Sequence, residues 1–205
     1  MKPILIIPLL FLSVVFCQKE YNITHITEQN GVYTKKFSDE IVNGRVFQMY
    51  GDMKVSLGKM KNGKKDGKWT LWHDNGQKKY EGTYKDGIQV GLWSYWRDNA
   101  TKLYEQNYKE GKKDGLATGW HDNGEKSVEE PYKDGKRTGE WTAWWDNGQK
   151  SSKGTLKNSE REGLWTEWYE NGQKQREGNY RDGDWIGVCW DEDGNECECG
   201  FGGCR

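Results

Sequence analysis

The chain ends in a cluster of cysteines, Cys189, Cys197, Cys199 and Cys204, spaced C-x7-C-x-C-x4-C. Thiols gathered this way either hold a metal as thiolates or pair as disulfides. The paired C-x2–4-C spacing that structural zinc prefers is absent, whereas in an exported chain two disulfides would staple the end of the fold. A Cys197–Cys199 bond across one residue is strained, which leaves two pairings open. Three histidines are present, His25, His73 and His121. His73 and His121 share one slot of a repeat with Arg97, Trp145 and Tyr169, and a slot filled so variously reads as surface or rim. Asp74, Asp98, Asp122 and Asp146 fall at expected hairpin turns, where aspartate bonds its own backbone. The run Asp191 to Asn195 reads as another turn, since it lacks the length and terminal glutamate of a calcium loop. No phosphate loop, nucleophile elbow or paired metal-binding histidines occur. The expectation is therefore no enzyme, no cofactor and no metal; what remains is binding.

The elements that would present a binding surface repeat every 24 residues. Gly67, Gly91, Gly115, Gly139, Gly163 and Gly187 keep that step, as do Trp72, Trp96, Trp120, Trp144 and Trp168. Trp69, Trp93, Trp141 and Trp165 form another series, with Ala117 and Cys189 in its remaining slots, and Tyr84, Tyr108, Tyr132 and Tyr180 form one interrupted by Leu156. A period of this size marks a quasi-one-dimensional stack. Each unit carries two turn signals. Asn75-Gly76, Asn123-Gly124, Asn147-Gly148 and Asn171-Gly172 predict two-residue type I′ turns, with Asn99-Ala100 departing. Asn62-Gly63, Asp86-Gly87, Asp134-Gly135 and Asp182-Gly183 predict the second set. No unit holds a helical pattern, so each predicts a hairpin. The fold class expected is all-β: an elongated, single-layer, open antiparallel meander of about six hairpins.

Trp69 and Trp72 are three apart, so either both sheet faces carry rings or a bulge near the glycine turns both to one face. If one ladder is exposed it forms a binding strip, and Trp72, Trp96, Trp120, Trp144, Trp145, Trp168 and Tyr169 are the candidate ligand-binding residues. Trp145 and Tyr169 are expected to be its most exposed members.

Composition agrees with such an array. Of 205 residues 12 are Trp and 11 Tyr, so the core is built from rings. Lys plus Arg total 31 and Asp plus Glu 32, a balance that argues against nucleic acid or an anionic membrane as partner. Residues 1–17 have a basic start and an apolar run from Pro3 to Phe16, too short to span a bilayer, and predict an export signal. Either cleavage follows Cys17, or Cys17 accepts a lipid anchor, against which the bulk of Phe16 argues. Residues 18–57 predict a lead-in with a degenerate capping repeat, 58–194 the repeats, and 195–205 a Cys-rich cap. The location expected is periplasmic, lipid-anchored at the cell surface, or secreted.

The string YKDGKRTGEWTAWWDNGQK, Tyr132 to Lys150, and its copies resemble the variant of the MORN repeat ("membrane occupation and recognition nexus") over about Gly44 to Gly194. The resemblance implies a hairpin array used for interaction, with no catalytic residues to carry over, and many bacterial members are described as antitoxin-like. Choline- and glucan-binding hairpin repeats are similar in their Trp, Tyr and Asn-Gly turns, with a spacing that fits less well. Three readings follow: an exported, monomeric scaffold for a protein partner; a carbohydrate or cell-wall binder using the Trp ladder; and an antitoxin-like neutralising partner.

Overall fold

The structure, a computed structural model, describes residues 18–200, 203 and 204; residues 1–17, and with them the export signal and Cys17, lie outside the described residues. One sixteen-stranded sheet dominates, and along nearly all of it each strand pairs with the one before and the one after. The repeating part comprises Lys64–Trp72, Lys78–Lys85, Ile88–Trp96, Lys102–Lys109, Lys112–Trp120, Lys126–Lys133, Gly139–Trp144, Lys150–Lys157, Glu160–Trp168, Lys174–Arg181 and Asp184–Trp190. All these neighbours are antiparallel, so the open hairpin array is as expected.

The first set of turns departs from the expected type I′. It is the second set, Asn62-Gly63 and the Asp-Gly turns, in which both central residues have positive φ, as at Asp86 (50°) and Gly87 (86°), which is what a type I′ turn demands. At Asn75-Gly76, Asn123-Gly124, Asn147-Gly148 and Asn171-Gly172 only glycine is left-handed, Gly76 at 83° for instance, and Gly76 N–H donates to His73 O while His73 N–H donates to Gln77 O. These are three-residue loops, a type I turn followed by a left-handed glycine. Ala100 takes that same conformation with φ of 64°.

The 24-residue glycine series lies inside strands rather than in turns. Gly91 has φ of 67°, and around it the register slips: Val90 faces Thr83 and Ser94 faces Glu81, so Gly91, Leu92 and Trp93 stand opposite Gly82 alone. Two extra residues preserve side-chain parity, so the bulge does not bring both tryptophans to one face. Trp69, Trp93 and Trp165 lie on one face, 1–3% exposed, and the half-buried Trp72, Trp96, Trp120, Trp144 and Trp168 lie on the other.

On the first, aromatic face each buried indole lies over the bare backbone of a glycine on the strand before it. A Cβ on Gly58 would come 2.6 Å from the Trp69 ring, one on Gly82 2.1 Å from Trp93, and one on Gly154 2.2 Å from Trp165. Glycine is thus required in the column 58, 82, 154 by close approach. Where the column departs, so does its partner. Gln106 stands opposite Ala117, and both are fully buried, the long side chain filling the space the ring leaves. Glu130 stands in the glycine slot before Trp141, whose indole N–H donates to it at 3.4 Å. Gly178 precedes the smaller Cys189, and Trp185 takes the space above it. Between indoles, tyrosines pack edge-on: Trp69–Tyr84, Tyr84–Trp93 and Trp93–Tyr108 have centroids 6.3, 4.9 and 6.1 Å apart.

Both ends depart from the meander. Glu20–Asn22 pairs parallel to Gly44–Tyr50, and the hairpin Ile26–Gln29 with Val32–Lys35 forms a separate two-stranded sheet. Tyr21, Ile26, Val42, Val46, Leu57, Met60 and Trp69 cluster there in the one aliphatic core of the described residues. The lead-in is therefore a small two-layer cap rather than a degenerate repeat alone. At the other end Cys189 pairs with Cys199 and Cys197 with Cys204, with Cα atoms 5.3 and 5.6 Å apart.

Replacing Gly82 by Gln should cost about 1–3 kcal/mol in urea unfolding, because the new side chain meets the Trp93 ring. Adding Trp93→Ala recreates the Gln106–Ala117 pair, and the double variant should be more stable than the sum of the single changes by more than about 1 kcal/mol. Additive losses would show that the two slots do not depend on each other.

Candidate functional site

The Asn-Gly loops carry a column of cross-links. Asn75 Nδ2 donates to Asp98 O at 2.6 Å, Asn123 to Asp146 O at 2.6 Å, Asn147 to Glu170 O at 2.8 Å and Asn171 to Glu192 O at 3.1 Å. Each reaches one unit forward. The varied slot beside them does the same. His73 Nε2 lies 3.0 Å from Trp96 O, Arg97 Nη2 donates to Trp120 O at 2.7 Å, and His121 Nε2 lies 2.8 Å from Trp144 O. Trp145 Nε1 donates to Trp168 O at 3.1 Å and Tyr169 hydroxyl to Trp190 O at 3.0 Å. What His, Arg, Trp and Tyr share is a side-chain donor of suitable reach. The slot is thus a donor column, not a free rim, and Trp145 and Tyr169 are half-buried with their polar tips engaged.

The second, mixed face carries the Trp72 ladder. Lys78 sits 5.6 Å from the Trp96 centroid and Lys102 5.0 Å from that of Trp120, and the same lysines bond Glu81 and Glu105 at 2.9 and 2.5 Å. Lys126–Glu129 and Lys174–Glu177 repeat the pair. Thr70, Ser94 and Thr166 donate to Glu81, Glu105 and Glu177. The charges on this face are therefore matched internally. Beside them runs an apolar strip, Leu92, Leu116, Leu164 and Val188, 50, 47, 56 and 38% exposed, interrupted by Glu140. Its members are two strands, roughly 10 Å, apart. The strip has period 24 like the rings, but no reading of single positions singled it out.

The aromatic face is covered by its own cations. Lys65 lies 4.9 Å from the Trp69 centroid and 5.1 Å from that of Tyr84, and burial there lowers its pKa. Lys113 lies 4.6 Å from the Tyr132 centroid, and the Arg161 guanidinium 4.1 Å from that of Trp165. Burial pushes Tyr84 up to about 12. Near the C-terminal end Arg161 and Arg176 converge on Glu167, at 2.7 Å each. Burial alone would raise the Glu167 carboxyl; the hydrogen bonds from Arg176 and Arg161 outweigh it and hold the group below the usual range.

In the middle of this face the rings stop. Ala117, Gly119 and Val128 stand one unit after Trp93, Tyr95 and Tyr104, the last two in slots that also take Leu71, Ala143, Glu167, Ser152 and Arg176, and a trough of about 1030 Å³ opens there. Among the described residues no group of three or more His, Cys, Asp or Glu could hold a metal ion.

Four segments, residues 65–86, 113–134, 137–158 and 161–182, match the family model described as MORN repeat variant. The chain belongs to the MORN repeat variant family. MORN repeats are in general protein- or membrane-binding modules of a non-catalytic kind. The stretch between the first two matches carries Gln106 and the Asn99-Ala100 loop, both departures from the repeat. No curated protein matches the chain.

The Glu167 cluster predicts an acid-side loss of stability. Its folded pKa lies below the ordinary value of 4.5, so its contribution is complete above that pH and is lost as pH falls through the folded value. Unfolding midpoints between about pH 6 and 3 should fall less steeply in Glu167→Gln than in the parent chain. Identical slopes would remove Glu167 from the account.

Proposed function

We infer that this chain is an exported, non-enzymatic scaffold that holds a protein partner along the mixed face of its sheet. The observation that carries this is the strip Leu92, Leu116, Leu164 and Val188, left exposed in register on a rigid sheet whose charges are already paired. An aligned apolar strip with a polar rim is the composition of a protein interface, and internally matched charges favour no polyion. The aromatic face is roofed by its own lysines and arginines, which leaves the mixed face as the longer docking surface.

Sugar binding on the Trp72 ladder draws less support. Lys78 and Lys102 already lie against Trp96 and Trp120, and an ammonium on the ring competes with a stacked ligand. The two disulfides of the C-terminal cap favour an oxidising compartment, in line with an export signal over residues 1–17, and argue against a cytosolic antitoxin-like role.

Two measurements test this reading. Leu116→Asp with Leu164→Asp should abolish capture of the partner from native envelope extracts while leaving the unfolding midpoint within about 0.5 kcal/mol, as for exposed positions generally; undiminished capture would move the interface elsewhere. Intact mass of the mature protein reads the N-terminus: loss of residues 1–16 with an acyl-glyceryl group on Cys17 gives an anchored protein, loss of residues 1–17 a free one, and retention of residues 1–17 would overturn export.

A further inference from the structure

We propose that Asn99 is a glycosylation site, its side-chain amide carrying an N-linked oligosaccharide attached once the chain has left the cytosol; the proposal rests on the export reading. Two tripeptides of the sequence have the acceptor form Asn-x-Thr, Asn22-Ile23-Thr24 and Asn99-Ala100-Thr101, and none has the form Asn-x-Ser. Such tripeptides also occur in chains that carry no sugar. What singles out Asn99 is the use the array makes of the same amide in every other unit.

The loops of this column share one backbone. Arg97 N–H donates to Thr101 O at 2.9 Å and Ala100 N–H to Arg97 O at 3.1 Å, as His73 and Gly76 do in the loop before. The asparagine Oδ1 accepts in each from the backbone N–H two residues on, that of Gln77, Thr101, Glu125, Gln149 or Gln173, at 2.9–3.0 Å. The Nδ2 atoms differ. Those of Asn75, Asn123, Asn147 and Asn171 donate to a carbonyl of the next unit, whereas among the described residues that of Asn99 makes no hydrogen bond. Two residues of this one unit account for the change. Arg97 takes over the forward link, reaching Asp122 at 2.6 Å and Trp120 O at 2.7 Å. Thr101 stands where the other loops have Gln or Glu, and its hydroxyl donates to Asn99 Oδ1 at 2.6 Å. The unit that completes the acceptor tripeptide is therefore the one that releases the amide nitrogen.

That nitrogen is the atom the transfer consumes. Nδ2 bonds to C1 of the first sugar, and the bond from C1 to the diphosphate of a polyprenyl-diphosphate-linked oligosaccharide breaks. The lipid diphosphate leaves with the electron pair, and one Nδ2 proton passes to a base of the transferase. The sugar then stands where an N–H pointed. At Asn75 or Asn123 it would sever a cross-link to the next unit; at Asn99 it severs nothing. Asn99 is exposed, and its loop lies at the ends of Ile88–Trp96 and Lys102–Lys109, so the glycan projects from the rim of the sheet. Asn22 has the same local bonds, from Thr24 N–H and hydroxyl at 3.1 and 2.9 Å, but it is half-buried in a strand paired with Gly44–Tyr50.

The test is the intact mass of the full mature chain isolated from its own cells, before and after an amidase that removes N-linked glycans and leaves aspartate at the site. The chain should carry an added mass that the amidase removes, with peptide mapping placing the new aspartate at position 99. Thr101→Gln, which gives this loop the residue its neighbours use, should lose the added mass and unfold at the midpoint of the amidase-treated parent; Thr101→Ser should keep the mass. A processed chain without added mass would overturn the proposal and leave export standing, whereas an unmodified chain that retains residues 1–17 would overturn both. Added mass that survives Thr101→Gln and is lost in Asn22→Gln would also overturn the assignment to Asn99.

Discussion

Everything in this array depends on an indole lying against a backbone that has no side chain. Trp93 sits so close to Gly82 that a single added carbon would fall 2.1 Å from its ring, and Trp69 and Trp165 approach Gly58 and Gly154 nearly as closely. Burying an indole of 150–250 Å² is worth about 4–6 kcal/mol at ~25 cal/mol per Å². On a single-layer sheet that burial has no second layer to supply it. It must come from the neighbouring strand, which has to lie bare beneath the ring. The bulge at Gly91 serves this contact: three residues face one, and left-handed φ lets the strand bend so that Trp93 lies down over Gly82. Trp69 and Trp165 then reach Lys59 O and Thr155 O with their indole N–H groups, at 3.0 and 3.1 Å. Tyrosine edges close the gaps between rings, and cations cover the top.

Because one face is sealed by its own rings and by Lys65, Lys113 and Arg161, the sheet is free to leave the other face to solvent. Face-to-face stacking on a second sheet would otherwise be required of so apolar a surface. The mixed face needs only to stay soluble, which its Lys–Glu pairs and Thr hydroxyls accomplish. It also stays largely regular: the Lys–Glu pair recurs at 78/81, 102/105, 126/129 and 174/177, and in the remaining unit Lys153 turns to Glu140 instead. Regularity of this kind is what allows isolated exposed leucines to line up as Leu92, Leu116 and Leu164 rather than scatter. The array end would be the weak point, and there the staple Cys189–Cys199 takes over from the indole that Cys189 replaces.

Much of this was legible in the sequence, because a period of 24 exposes any column that is strictly kept. The hairpins, the glycine and tryptophan columns and a cysteine staple all follow from spacing; that the two tryptophan columns take opposite faces follows only from strand register. What misled was local chemistry shared by different geometries. Asn-Gly is the strongest signal for a type I′ turn, yet here Asn75 bonds forward to Asp98, and that cross-link needs a wider loop. His73, Arg97, His121, Trp145 and Tyr169 looked like an unconstrained surface slot because hydrophobicity was compared rather than donors. The column Gly58, Gly82, Gln106, Glu130, Gly154 and Gly178 was in plain view. Its meaning lay in a pairing eleven residues downstream, with Trp69, Trp93, Ala117, Trp141, Trp165 and Cys189, and only strand register reveals that offset.

Departures from the repeat are met by their neighbours. Where Asn99 lacks the forward amide bond of its equivalents, Arg97 supplies an ion pair to Asp122 across the same gap. Where Ala117 replaces an indole, Gln106 fills the floor. These are repairs: the array meets a lost contact with another of similar reach, and stability explains both. Gly119 is met in the same way from the facing strand: a Cβ there would fall 2.9 Å from Ser127 Oγ and 3.0 Å from Val128 Cγ1, so the smaller residues of this unit close on one another where the unit before has Tyr95 and Tyr104.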